Sequence, residues 1–166
     1  MTLEGIATMD TETFCDKIRE YKKLLYVTAW SVLQNEHEAE DAVSAAVLSA
    51  YEHLSSLKKP ESFKAWIVTI TKNEALKIIR KRMTLPGNDI VEAVMESYTE
   101  SYDEFSDILA SLPEEFRVVV VLFYYDELSI KEISKVLSVP IGTVKSRLSR
   151  AKTMLKNILE GGKDNG

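Results

Sequence analysis

Apolar residues recur at steps of three and four along most of this chain, and that pattern predicts helices. From Thr11 to Gln34, Phe14, Ile18, Tyr21, Leu25 and Val32 keep helical register, with Thr28 among them. "NEHEAE" interrupts the pattern. Asn35 fits an N-cap there, with Glu36 and Glu38 favourable in a first turn. The next helix is expected from about Glu36 to Leu57, burying Ala39, Val43, Ala46, Val47, Ala50, Leu54 and Leu57. "KKPES" breaks it, because proline disfavours helix in the residue before it. Ser62 to Arg82 predicts a third helix with Phe63, Trp66, Ile67 and Ile70 on its core side. Trp66 and Asn73 both read as structural there, since a buried amide must find hydrogen bonds. The helix closes on "RKR", and cations suit a helix C-terminus.

"MTLPGNDIVEAVMESYTESYDEF" follows, with Pro86 and Gly87 ending any helix and only weak periodicity after them. It reads as a linker, with packed structure resuming near Ser106. "SDILASLPEEFRVVVVLFYYDE" predicts a short helix, a stop at Pro113 and a strongly apolar helix from about Glu114. The β-branched run Val118 to Val121 makes a strand the rival reading. Pro113, Glu114 and Glu115 favour helix, because proline and acids suit a first turn. Ser129 and Glu132 have the spacing of a capping box for a helix running to Leu137, with Ile130, Ile133 and Leu137 inward. "SVP" is a three-residue turn. A last helix is expected from near Pro140 to about Leu159, burying Val144, Leu148, Ala151, Leu155 and Ile158. The expected fold class is all-α, in two small helical domains, residues 11–83 and 106–160, joined by an acidic linker, residues 84–105.

Composition agrees. Of 166 residues, only 6 are glycine and 4 proline, which favours helices over many short strands. Cys15 is the sole cysteine, so no intramolecular disulfide forms and a reducing cytosol fits best. "MTLEGIATMD" has neither a basic start nor an apolar run, so no secretion signal is expected. The longest apolar stretch, Val118 to Tyr125, is far short of the roughly 18 residues a membrane span needs, so no membrane insertion is expected.

The net charge of -5 hides a local order. Residues 1–57 hold 10 acids and 4 bases, and residues 58–82 hold 8 bases and 2 acids. Residues 83–116 hold 9 acids and no base, and residues 129–156 hold 7 bases and 1 acid. Two basic patches split by an acidic segment suit two separate contacts with one polyanion. Solvated helix faces are the plainer reading of such runs.

The C-terminal patch has more structure to it. Two helices joined by about three residues are a helix-turn-helix, whose second helix can enter a major groove. On the helical wheel Thr143, Ser146, Arg147 and Arg150 share a face opposite Val144, Leu148 and Ala151, flanked by Lys145, Ser149 and Lys152. Gly142 and Thr143 are small enough for a close approach to DNA. The cations suit phosphates, while Ser146, Arg147 and Arg150 suit base edges.

"LASLPEEFRVVVVLFYYDELSIKEISKVLSVPIGTVKSRLSRAKTMLKNIL" closely resembles the promoter-binding C-terminal domain of bacterial sigma factors, especially the small extracytoplasmic-function (ECF) kind. The marks are Leu112-Pro113, Arg117, Glu132-Ile133, Gly142 to Arg147, and Arg150-Ala151. "AEDAV", from Ala39, is similar to the family's A-E-D motif, and Phe63, Trp66, Ile67, Ile70, Asn73 and Arg80 match the pattern of its next helix. The resemblance implies an alternative sigma factor. It would bind core RNA polymerase, recognise the minus-ten and minus-thirty-five promoter elements, help melt the DNA, and leave after initiation. It implies that Glu40, Asp41, Ser44 and Leu48 dock on the polymerase clamp helices. Many relatives carry glutamine where Ser44 stands. Contacts with duplex or melted promoter DNA would fall to Lys64, Lys72, Lys77, Arg80, Lys81 and Arg82 in the first domain, with the loop "KKPES" beside them. In the second they would fall to Thr143, Lys145, Ser146, Arg147, Arg150 and Lys152. The acidic linker would pass through or near the polymerase channels, and an anti-sigma factor is an implied partner.

No catalytic, metal or cofactor motif appears. The 2 histidines, His37 and His53, are sixteen residues apart on one expected helix, roughly 24 Å. There is no C-x-x-C, no H-E-x-x-H and no phosphate-cradling glycine loop. Neither enzyme activity nor a cofactor is expected. Two other readings stay open: a stand-alone helix-turn-helix regulator, and a sigma-like polymerase adaptor without promoter specificity.

Overall fold

The computed structural model describes residues 9–84 and 104–164. Those residues form helices and turns, with no strand among them. Helix α1 spans Thr11–Leu33 and starts at Asp10, whose carboxylate accepts the Thr13 N–H at 2.7 Å. That bond holds the Asp10 carboxyl below its ordinary value. Gln34 ends α1 in the left-handed region, with φ of 51°. Asn35 then caps α2, Glu36–Glu52, through its side-chain oxygen and the Glu38 N–H, as its place in the sequence predicts. Helix α2 ends five residues sooner than the periodicity suggests. His53 closes it, and a 3-10 turn at Leu54–Ser56 still brings Leu57 into the core. A second 3-10 turn, Pro60–Ser62, leads into α3, Phe63–Thr84.

The first three helices pack around an aromatic centre. Phe63 is almost fully buried and lies 6.1 Å from the rings of both Phe14 and Tyr21, and 5.8 Å from Trp66. The inner face of α2 is mostly alanine. Ala39, Ala42, Ala46 and Ala50 are fully buried, so α1 and α3 approach it closely. Asn73 departs from expectation: it is exposed. The buried face of α3 runs through Phe63, Ile67, Val68, Thr71 and Ala75, and two residues beyond Thr71 is roughly 200° of helix rotation.

Helix α4, Glu104–Ala110, resumes near the expected point. The linker expected over residues 84–105 lies outside the described residues except at its two ends. Helix α5 spans Glu114–Val120 and widens into a π-helical turn, Val121–Tyr125, so the β-branched run is helical. Packing overrides intrinsic preference here, since Val118 to Leu122 are all buried. Helix α6, Ile130–Leu137, carries the expected capping box: Glu132 N–H to Ser129 Oγ at 3.1 Å and Ser129 N–H to Glu132 Oε1 at 3.0 Å. Helix α7, Ile141–Asp164, packs on α5 through Val144 and Ala151, both fully buried. Ile158, expected inside, is exposed, because α7 outlasts the core it covers.

The two helical groups share one continuous apolar core. The C-terminal half of α1 packs on α5 and its π-turn, and α3 packs on α6. Polar groups cross this junction. Buried Arg117 donates from Nε to the Ser31 carbonyl at 2.6 Å and from Nη1 to the Leu112 carbonyl at 2.7 Å. Burial pushes its guanidinium below its ordinary value, while Glu114 works the other way. Thr28 Oγ1 donates to Asp126 Oδ2 at 2.6 Å, and Gln34 Nε2 donates to the Ala110 carbonyl at 3.3 Å.

Candidate nucleic-acid interface

The turn between α6 and α7 is built by local bonds. Ser138 takes the left-handed conformation, with φ of 55°, and Ser134 Oγ donates to the Val139 carbonyl at 2.6 Å. The Pro140 carbonyl then accepts the Val144 N–H at 3.2 Å, the first helical bond of α7. With Val144 and Ala151 pinned inside, the opposite face is set. Lys145, Ser146, Ser149, Arg150 and Lys152 are exposed, and Thr143 and Arg147 are half-buried. A Cβ on Gly142 would meet nothing within 4 Å, so no packing inside the chain requires glycine there.

Arg147 differs from its neighbours on this face. Its side chain is 27% exposed, and Nη2 lies 3.9 Å from Glu115 Oε2. Both line a groove of about 320 Å³ between the two helical groups, together with Val32, Lys72, Leu76 and Glu114. Lys72 projects into this groove instead of standing outermost on α3. Burial, with Arg80 as a lesser cause, pushes its ammonium below the ordinary value. Lys64 is half-buried, while Lys77, Arg80 and Lys81 are exposed. Lys77 also pairs with Glu74 at 2.9 Å.

Arg82 has a commitment that its position in a basic run does not reveal. Its Nε donates to both Glu38 oxygens, at 2.7 and 3.1 Å, and its Nη2 donates to the Leu33 carbonyl at 3.2 Å. It joins the end of α3 to the corner between α1 and α2, and its guanidinium is not free as the run "RKR" suggests.

Glu40, Asp41, Ser44 and Leu48 share one exposed face of α2, and Leu48 is 61% exposed. Beside it α1 supplies Arg19, Lys22, Lys23 and Tyr26 to a cleft of about 590 Å³ that also includes Glu40 and Ser44. Those α1 cations escaped the sequence reading, although "REYKK" places them on one side of a helix. Among the described residues no group of three or more His, Cys, Asp or Glu is placed to hold a metal ion. No described helix is long and apolar enough to cross a membrane.

Comparison with known proteins adds lineage to this geometry. Residues 18–84 match the family described as Sigma-70 region 2, and residues 102–155 match Sigma-70, region 4. The ECF RNA polymerase sigma factor SigW of Bacillus subtilis (strain 168) is 30% identical over 90% of this chain and 90% of its own. The ECF RNA polymerase sigma-E factor of Escherichia coli (strain K12) is 27% identical over 72% of this chain and 73% of its own. Among solved structures, the sigma factor RpoE in complex with the anti-sigma factor NepR from Bartonella quintana shares the fold. Its TM-score is 0.74 at 24% identity, over 90% of this chain and 98% of that one. CnrH in complex with the cytosolic domain of CnrY gives 0.67 at 22%, over 94% and 93%. With two matching regions in order and SigW aligned along nearly its whole length, the chain belongs to the ECF family of RNA polymerase sigma factors.

Proposed function

We propose that this chain is a promoter-specificity subunit: it binds core RNA polymerase, selects promoters through two DNA contacts and directs the start of transcription. The observation that carries this reading is the exposed face of α7, where Lys145, Ser146, Arg150 and Lys152 stand clear on a helix held by a capped helix-turn-helix. In this reading residues 106–160 form the domain for the minus-thirty-five element. Thr143, Lys145 and Lys152 hold phosphates, while Ser146, Arg147 and Arg150 reach base edges. Residues 11–83 form the domain for the minus-ten element, with Lys64, Lys72, Lys77, Arg80 and Lys81 toward the melting strand. Arg82 is better assigned to holding that domain together. Residues 84–105 link the two. Glu40, Asp41, Ser44 and Leu48 dock on the polymerase, the carboxylates facing arginines and the leucine a small pocket. The protein acts in the cytoplasm, and the chemistry of RNA synthesis belongs to the polymerase. An anti-sigma factor is a further expected partner, since the sigma factor RpoE was captured with one.

The test is transcription in vitro with purified bacterial core polymerase on sheared genomic DNA from the source, with and without the protein. Discrete transcripts that require the protein are the expected result. Arg150→Ala is expected to reduce them about tenfold or more, the cost of one good base contact. Arg147→Ala should act in the same direction. Stable binding to core without transcripts points to an adaptor, and neither binding nor transcripts rejects the reading.

A further inference from the structure

Asp126 is the most isolated charged group in the junction between the two domains. It is 0% exposed, and Thr28 of α1 donates to its Oδ2, while its Oδ1 has no hydrogen-bond partner among the described residues. The π-turn delivers it there: the wide turn over Val121–Tyr125 closes with the Asp126 N–H on the Val121 carbonyl at 2.9 Å. Arg117 crosses the same junction to the Ser31 carbonyl. A carboxylate buried with one hydrogen bond is costly, and so is a guanidinium buried on two carbonyls. The bonds to Thr28 and to the Ser31 carbonyl both cross from one helical group to the other.

The same junction brings Lys72 and Arg147 to the walls of one groove, with Glu114 and Glu115 beside them. Both cations are assigned above to promoter DNA, at elements about 25 base pairs apart. That is roughly 85 Å of duplex. Two domains in contact cannot reach both sites at once, because a compact chain of this length has a radius of gyration of only about 15 Å.

We propose that Asp126 with Thr28, and Arg117 with the Ser31 carbonyl, form a latch. It keeps the free sigma factor closed, holds Lys72 and Arg147 on the walls of one groove, and must open before the promoter is engaged. The role of opening rests on the promoter-binding reading above; the latch itself does not.

Titration follows from the geometry. Burial pushes the Asp126 carboxyl up to about 7 from 3.8, against the opposing pull of the Thr28 hydrogen bond and the Lys64 charge. The groups around it add little else. Helix α1 has no charged side chain from Leu24 to Gln34. Lys64 faces it from α3, Glu132 of α6 is spent on capping Ser129, Lys131 is exposed, and Arg117 of α5 is spent on carbonyls. Closing therefore takes up a proton. The closed-to-open ratio falls about tenfold per pH unit between the ordinary carboxyl value and about 7, and levels off above it.

The test uses the full chain in a Cys15→Ser background, with a reporter thiol at Val32→Cys in the groove or at Ala46→Cys in the first domain's interior. The rate of thiol modification, relative to the urea-unfolded chain at the same pH, measures opening even when it is rare. At Val32→Cys the relative rate is expected to rise from pH 5 to 7 and then flatten. Thr28→Val should raise it about tenfold, the loss of one buried hydrogen bond, and Asp126→Asn should abolish its pH dependence. The rate at Ala46→Cys should stay low throughout. A Val32→Cys rate indifferent to both pH and Thr28→Val overturns the latch. So does an equal rise at both reporters, which would mean that the substitution only loosens the fold. In vitro transcription on the same proteins separates the two proposals. Absent transcripts with the latch behaviour intact reject the promoter reading alone, and normal transcripts without that behaviour reject the latch alone.

Discussion

Arg82 closes α3 with Nε and Nη2 both on the Glu38 carboxylate, and that two-nitrogen contact decides what the residue does. Charge-assisted bonds of this kind contribute about 1.5–3 kcal/mol when sheltered. Arg82 and Glu38 are only partly buried, so solvent screening lowers the figure, and Arg82→Ala is expected to cost about 1–2 kcal/mol. Urea unfolding of the full chain would show it as a lower midpoint with an unchanged slope. Distance along the chain explains which such contacts were readable. The Asn35 cap and the Ser129–Glu132 box span three residues, so their spacing announces them. Arg82 and Glu38 are 44 residues apart, and Thr28 and Asp126 are 98 apart. Nothing local in "RKR" or "YYDE" points to either partner, and both runs read as solvated charge.

At the scale of elements, helical periodicity carried most of the fold, because burial on one face and exposure on the other is a repeating signal. It misplaced details where that face turned or ran out: Asn73 on α3, Ile158 on α7 and the early end of α2. The run Val118 to Leu122 is buried on every side and so carries no period to read. Only its flanks marked it as helix, and the π-turn was beyond reach. Alanine on the inner face of α2 has a measurable consequence. Ala46 is fully buried between α1 and α3, so Ala46→Leu forces extra volume into a closed space. It is expected to cost about 1–3 kcal/mol. The same urea titration would detect it, and a neutral result would mean that the helices can move apart.

For the whole molecule, one apolar core running through both helical groups implies that they unfold together. Trp30 and Trp66 both lie in the first group, so tryptophan fluorescence reports on that group while far-ultraviolet circular dichroism reports on all helices. The two thermal transitions are expected to coincide near pH 6, and Thr28→Val to separate them. The pairing of the groups was hidden from the sequence, because the residues that join them are scattered singly over α1, α5 and the π-turn. The exposed polar faces of α2 and α7 were readable, since each lies on one helix. Arg82 also bears on how the molecule carries load. It ties the last turn of α3 to α1 and α2 just two residues before the described chain leaves that domain at Thr84. If the two domains are drawn apart as proposed, tension along the connecting segment meets this three-helix anchor first, and the Arg82 bonds oppose peeling of the final turn of α3.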